Sequence, residues 1–355
     1  MAAKPRGPPV RPPPTEGSRI RPRWSPPRRP VRVPGRGPRG PGGPGIGPGR
    51  GVLDRRASSP RHWGPVILEV QHTTTIRYRV PVLRSMNIVR MAPQNTASQR
   101  RLRFALEVQP PASISSYVDH WGNEAHTFTV RRAHSELVVR AWGRAETTRQ
   151  MHPTESVPWD AYRPDALGSL LDFTLPTPLT TLERLSWPED GTEDAWSWIT
   201  MTIASLPDRL RYRKGTTRVD TPAAEVIARG EGVCQDFAHV ALGLLRRRGL
   251  PARYVSGYQY VGETARHEPH AWVEVWHPNG GWVGFDPTAG QPTDERYVKT
   301  AVGRDYTEAA PLRGHLVTAS PEPAHSSDPP QVEVRITALA SDDVPFPAIP
   351  AMVKG

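Results

Sequence analysis

The chain has 355 residues, with 46 Lys and Arg against 35 Asp and Glu, 42 prolines, 30 glycines and a single cysteine. One cysteine excludes an internal disulfide and any site built on paired zinc cysteines, and it fits a reducing, cytoplasmic compartment. No run of 18 or more apolar residues occurs, which excludes a membrane-spanning helix.

The charge is unevenly placed. Residues 1–62 carry 15 Lys and Arg against two acids, a local excess of 13, so the rest of a chain of net charge +11 is left at −2. The stretch 1–63 is dense in Pro, Arg and Gly without an apolar period. It cannot bury enough surface to offset its ordering entropy and is expected to be a disordered tail. A translated tail of this charge predicts weak, salt-sensitive binding of polyanions such as nucleic acid. Arg28-Arg29 lacks the apolar segment that an export signal would place after it. The next methionine after Met1 is Met86, already inside the globular pattern, so a start near Val66 would use a non-Met codon.

A β-rich region is expected over 64–155. Ile67 to Tyr78, Leu102 to Val108, Thr127 to Arg131 and Leu137 to Ala141 read as short strands, broken by Pro110-Pro111 and Gly122-Asn123. Several such strands in this length suggest a β-sandwich-like domain of its own. Residues 156–190 read as a proline-rich linker with a helical piece around Ala166 to Asp172. Thr192 to Leu206 reads as a helix with Ala195, Trp196, Ile199 and Ile203 on one face. Thr221-Pro222 opens another short helix as a cap and first-turn pair.

The densest signal follows. Gly230-Glu231-Gly232-Val233-Cys234-Gln235-Asp236 runs from a Gly-rich turn into a helix, predicted from about Cys234 to Arg248 by apolar residues Phe237, Val240, Ala241, Leu244 and Leu245. Gly249 and Pro251 end it. The thiol therefore lies in the first turn, where unpaired N–H groups and the helix dipole favour a thiolate and can bind an oxyanion. Gly230 and Gly232 are expected to let backbone approach a substrate closely. Arg253 to Tyr258, Ala271 to Trp276 and Trp282 to Phe285 read as strands, the last two joined by Pro278-Asn279-Gly280-Gly281. His270 then begins one hairpin strand and Asp286 ends the other, side by side. Cys234, His270 and Asp286, in that order, are the layout of a nucleophile, its base and an orienting carboxylate.

Other residues fit duller roles. Asp236 is a second carboxylate candidate, but it sits where it would stabilise the helix dipole. His239, at i+5 from Cys234, faces away from the thiol. His267-Glu268-Pro269-His270 has metal-like composition, yet Pro269 forbids the helix on which a His-Glu-x-x-His zinc motif depends. No metal and no cofactor is expected. Trp272, Trp276 and Trp282 read as strand filler, Trp272 also as a wall of an acyl-binding groove.

At Gly232 to His239, Gly249 to Tyr258, His270 to Glu274 and Gly284 to Thr288 the sequence closely resembles the bacterial transglutaminase-like family of the papain-like thiol superfamily. The resemblance extends over roughly Val66 to Ala340. It takes in Asp119-His120-Trp121-Gly122-Asn123 of an N-terminal β-rich domain and Ala301 to Tyr306 of a C-terminal extension. It departs from the family pattern at Gln259-Tyr260, at a strand end. It implies an α+β, papain-like or transglutaminase-like core over 191–290, an extension with a strand over 291–340, and a flexible terminus over 341–355. It also implies Cys234 as nucleophile, His270 as base and acid, and Asp286 as orienting residue. Papain itself is excluded by the 36-residue Cys-to-His separation, and peptide N-glycanases by the missing zinc cysteines. The expected function is thiol-dependent acyl transfer or amide hydrolysis through a thioester, on a protein, peptide or small amide substrate. The alternatives are an arylamine N-acetyltransferase-like enzyme and a non-catalytic polyanion-binding scaffold.

Overall fold

The computed structural model describes residues 64–182, 194–318 and 329–346. The basic tail at 1–63, with its expected polyanion binding, lies outside the described residues, as do 183–193 and 347–355. Five strands come first: β1 (Val66–Val89), β2 (Gln99–Gln109), β3 (Ile114–Val118), β4 (Glu124–Val130) and β5 (His134–Thr147). Helix α1 (Pro164–Leu167) with a following 3-10 turn, α2 (Ala195–Ala204), α3 (Leu206–Arg209) and α4 (Ala223–Arg229) lead to the site, with the two-residue strands β6 (Arg211–Tyr212) and β7 (Glu231–Gly232). Then come α5 (Cys234–Arg247), β8 (Ala252–Gln259), β9 (Pro269–His277), β10 (Gly281–Asp286) and β11 (Gln291–Pro292). The described chain closes with β12 (Tyr297–Gly303), α6 (Tyr306–Ala309), β13 (Leu312–Thr318) and β14 (Gln331–Leu339). Among the described residues no helix is long and apolar enough to cross a membrane.

The N-terminal sheet is not completed by N-terminal residues. Strand β1 runs for 24 residues; its first half pairs with β5 and β14, its second half with β4 and β13. The register breaks between Arg77 and Val82. Pro81 falls in that break, where its missing N–H removes no ladder bond. The expected β-rich region is present, but the strands that flank β1 come partly from beyond residue 311. The C-terminal extension, expected to hold one strand, contributes β12, β13 and β14. Residues 341–346, expected to be flexible, are pinned in part: the fully buried Arg144 bonds Glu69, the Asp342 side chain and the carbonyls of Asp342 and Val344.

The second domain is a five-stranded antiparallel sheet in the order β11-β10-β9-β8-β12, with α5 packed across β8 and β9. Phe237, Val240, Ala241, Leu244 and Leu245 are buried there, as their spacing predicts. Helix α2 buries Ala195, Trp196, Ile199 and Ile203. It is capped by Asp194, which accepts from Ser197 N at 2.7 Å. At α4 the cap differs from expectation: Pro222 occupies the N-cap, and Thr221 Oγ1 accepts from Arg218 N instead. Proline fixes the extended φ that the cap requires, so no side-chain bond is needed to start the helix.

Strand β12 is the edge of the second domain's sheet, and two amide side chains close it. Asn123 donates to Val302 O and accepts from Val302 N, both at 2.8 Å. Gln99 does the same at Lys299 O and N, also at 2.8 Å. Between these two clamps the β12–β8 register shifts, from Lys299 to Ala301. The side-chain amides thus satisfy edge groups that a regular partner strand would have paired. Trp121, from the same Asp119 to Asn123 loop as Asn123, packs on the cluster of Val255, Trp272, Tyr297 and Val302. Asn123→Ala should lower stability by about 1–3 kcal/mol, because it leaves a buried carbonyl and N–H without partners. The urea midpoint measures this; an unchanged midpoint would mean that the clamp contributes nothing.

Candidate active site

Cys234 is the first residue of α5, half-buried, at the end of the β7 strand. Val233 is extended before it, and the Val233 N–H donates to Asp236 Oδ2 at 2.7 Å. Thr217 Oγ1 donates to the same oxygen at 2.6 Å. Asp236 is fully buried, and burial outweighs these two bonds to push its carboxyl pKa up. It is therefore committed to the helix start and makes no bond to His270. The same contact explains Gly232. A Cβ there would meet Asp236 Cβ and Oδ2 at 2.7 Å, so the glycine makes room for the cap rather than for a substrate. Gly230, at φ +70°, ends α4 in the left-handed conformation.

His270 is the second residue of β9 and Asp286 the last of β10. Phe285 pairs with Val273, so extending the register sets Asp286 opposite Trp272, on the face that His270 shares two residues away. The two are diagonal neighbours. His270 Nε2 lies 2.8 Å from Asp286 Oδ2, with side-chain exposures of 13% and 1%. The other ring nitrogen, Nδ1, is left free of Asp286, and the neighbouring Cys234 acts on the imidazole by raising its pKa. The three residues singled out from the sequence are thus brought together.

The electrostatics are those of an ion pair held out of water. Burial disfavours the charged imidazole, but the bonds and charges of Asp286 and Cys234 overcome it and push the His270 pKa up to about 10. Burial likewise opposes ionisation of Asp286, and is overcome by bonds from His270, Tyr297 and the Thr288 N–H, so its pKa is lowered. Asp286 Oδ1 accepts from Thr288 N at 2.9 Å and Ala289 N at 3.3 Å. Oδ2 accepts from Tyr297 OH at 2.8 Å, beside the imidazole.

Other assignments resolve as follows. His239 is buried and its Nε2 accepts from Tyr306 N at 3.2 Å, a structural role. His267 Nδ1 accepts from Ile336 N, and Glu268 pairs with Lys214, so neither converges on His270. Trp272 is 3% exposed and stacks behind His270 at 6.2 Å between ring centroids; it backs the imidazole and does not wall an open groove. Two tyrosines were not singled out in the sequence. Tyr297 lies in β12, eleven residues past Asp286, with no motif around it. Tyr212, on the strand that pairs with β7, is half-exposed. Desolvation first, then the negative charge of Cys234, Glu268, Asp286 and Asp236, pushes its phenol up to about 12. Its place beside the Gly232 strand is set by the parallel pairing of two dipeptides, which no periodic pattern marks.

This fold and this site define the class of thiol-dependent enzymes with a transglutaminase-like core. The transglutaminase-like superfamily core matches residues 188–287, and the bacterial transglutaminase-like N-terminal region matches residues 68–146. The chain belongs to the bacterial transglutaminase-like family. It is 32% identical over 265 residues to an uncharacterized protein of Mycobacterium leprae, covering 70% of this chain and 92% of the relative. An uncharacterized protein of Mycobacterium tuberculosis is 33% identical over 278 residues, 71% of this chain and 88% of the relative. A shorter match, 41% over 66 residues, falls on a protein-glutamine gamma-glutamyltransferase of Pseudomonas aeruginosa, covering 16% of this chain and 10% of that protein. Among solved structures, a candidate cysteine protease from Cytophaga hutchinsonii superposes with a TM-score of 0.63 at 24% identity, over 81% of this chain and 95% of that one.

The raised His270 pKa gives a stability signature. A group titrating near 10 when folded and near 6.5 when unfolded contributes fully below about pH 6.5. It loses that contribution as pH rises toward 10. Urea midpoints of the wild type should therefore fall between pH 7 and pH 9.5, and His270→Ala should flatten that part of the decline. Equal slopes in the two proteins would show that the imidazole is not held by the pair.

Proposed function

We propose that this protein is a thiol-dependent acyltransferase that takes carboxamides as acyl donors. The observation that carries the reading is the His270 imidazole, bonded to Asp286 at 2.8 Å and raised in pKa by its neighbour Cys234. Cys234 Sγ passes its proton to His270 Nδ1 and attacks the carboxamide carbon. The developing oxyanion lies against the N-terminus of α5, whose N–H groups favour negative charge. Tyr212, kept protonated, is suited to donate a further hydrogen bond there. Collapse of the tetrahedral adduct breaks the C–N bond, and His270 returns its proton to the departing nitrogen. A thioester on Cys234 remains. An amine attacks it and loses a proton to His270, giving a new amide and the free thiol; water in place of the amine gives a carboxylate.

The named activity of the Pseudomonas relative, which transfers the γ-glutamyl group of protein-bound glutamine, supports a glutamine side chain as donor. That match spans 66 residues, 16% of this chain, so the donor is inferred from that shared stretch alone. The test is incubation with a glutamine-containing peptide and a fluorescent primary amine, followed by intact-mass measurement. The expected result is amine incorporation with ammonia release, and a peptide-sized thioester adduct that Cys234→Ala abolishes. Asp286→Ala should lower the rate by on the order of 100-fold or more, by releasing the imidazole from its tautomer and orientation. Cleavage of the peptide backbone without amine incorporation would make the protein a protease with the same thiol. Incorporation that survives Cys234→Ala would refute the reading.

A further inference from the structure

Beside the proposed triad lies a buried hydroxyl that the acyl-transfer steps leave unused. Tyr297 is 6% exposed and donates to Asp286 Oδ2 at 2.8 Å, the same oxygen that holds His270. Its hydroxyl in turn accepts from Gln259 Nε2 at 2.7 Å. Gln259 and Tyr297 are cross-strand partners in the β8–β12 pair. With its oxygen lone pair occupied by the amide N–H, the phenol proton is directed at the carboxylate. Gln259, a departure from the family pattern, thereby acquires a role.

Asp286 does not need Tyr297 to stay in place, because Thr288 N and Ala289 N fix its other oxygen. What the hydroxyl adds is a second neutral donor on the oxygen that faces the imidazole. A donor on a carboxylate oxygen withdraws charge from it and weakens the bond that oxygen makes to any other donor. We propose that Tyr297 is a positioning residue acting through Asp286, moderating the hold of the carboxylate on His270 so that the imidazolium can give up its proton. This rests on the triad reading above and extends it. During acylation the proton moves from Cys234 Sγ to His270 Nδ1 and on to the departing nitrogen. The Tyr297 proton stays on its own oxygen throughout, held there by burial and by the neighbouring Asp286 charge. An imidazolium stabilised without this moderation would form readily and discharge slowly, since a general acid works best when its pKa lies near the working pH.

Several groups besides Asp286 face this pair. Cys234 on α5 and Tyr212 on β6 lie on the thiol side, and Asp294 and Arg296 lie just before β12. Glu274 and Lys299, which pair with each other at 2.5 Å, share with Tyr297 the lining of a polar cavity of about 30 Å³ on its other side. Only Asp286 and Gln259 bond the Tyr297 hydroxyl among the side-chain bonds of the described residues. The clamps of Asn123 and Gln99 on β12 hold the strand that carries it.

The experiment is the titration of the His270 imidazole in the full chain, followed by its ring-proton NMR signals, which His270→Ala assigns; iodoacetamide labelling of the one cysteine is the companion readout. Tyr297→Phe keeps the ring and removes only the hydroxyl. With the carboxylate charge left to the imidazolium alone, the imidazolium persists to higher pH. The His270 titration should therefore move up by about 0.5–1 pH unit, within what one hydrogen bond to a charged group supplies. Gln259→Leu keeps ring and hydroxyl but frees the phenol proton to turn away, and should move the titration in the same direction by less. Both variants superposing on the wild type, or the titration moving to lower pH, would overturn the proposal. Rapid wild-type labelling that His270→Ala leaves unchanged would overturn the triad reading itself, a separate outcome.

Discussion

A buried charge organises the catalytic half of this protein. Asp286 is 1% exposed, and an ionised carboxylate in such a place is tolerated only when its lone pairs are matched by donors. The match comes from four donors on three separate pieces of chain. The β10–β11 turn offers the N–H groups of Thr288 and Ala289, β9 offers His270, and β12 offers Tyr297. The order of the catalytic sheet follows from having to deliver these groups to one point. The imidazole is raised because the carboxylate is lowered, and both shifts express one desolvated pair.

Tyr297 reaches Asp286 on a strand that residues of the N-terminal sheet hold. Strand β12 is an edge, and an edge strand left to itself frays or slips. Asn123 and Gln99 bind its backbone at Val302 and Lys299, one on each side of the register shift. Gln99 begins β2 and Asn123 lies in the loop before β4, so both come from the N-terminal sheet. That sheet is in turn closed by β13 and β14, which follow β12 in sequence. The chain passes from sheet to core and back, so the two cannot be separated without opening both. The apolar contact of Leu68, Val70 and Ala145 with Tyr258, Val298 and Ile336 seals the same junction.

Charges elsewhere in the core obey the same constraint. Glu274 is held between Arg253 and Lys299, and Arg246 in the last turn of α5 is bound by the carbonyls of Phe173, Ala252 and Arg304. Arg246 lies in the last turn of α5, where a basic residue complements the helix dipole. It is 5% exposed, and it ties the end of α5 to three other segments of the chain. Asp236 does the corresponding work at the other end of the helix, reaching back to the Val233 N–H. The position of Cys234 is therefore set by polar anchors at both ends of α5 as well as by its apolar face.

The sequence by itself determined what depends on neighbours in the chain. Apolar spacing set α5 and placed its start at the cysteine; the Gly249 cap set its end. Alternation and a Pro-Asn-Gly-Gly turn set the β9–β10 hairpin, and with it the approach of His270 and Asp286. These are local rules, in which each residue acts on others a few positions away. The tertiary structure decided what depends on residues far apart in sequence. Tyr297 meets Asp286 only because β12 returns beside β8. Gln259 faces Tyr297 for the same reason. The flanks of β1 are occupied by strands more than two hundred residues later. Such contacts leave no period and no motif, since a hydrogen bond between distant side chains constrains two positions and nothing between them.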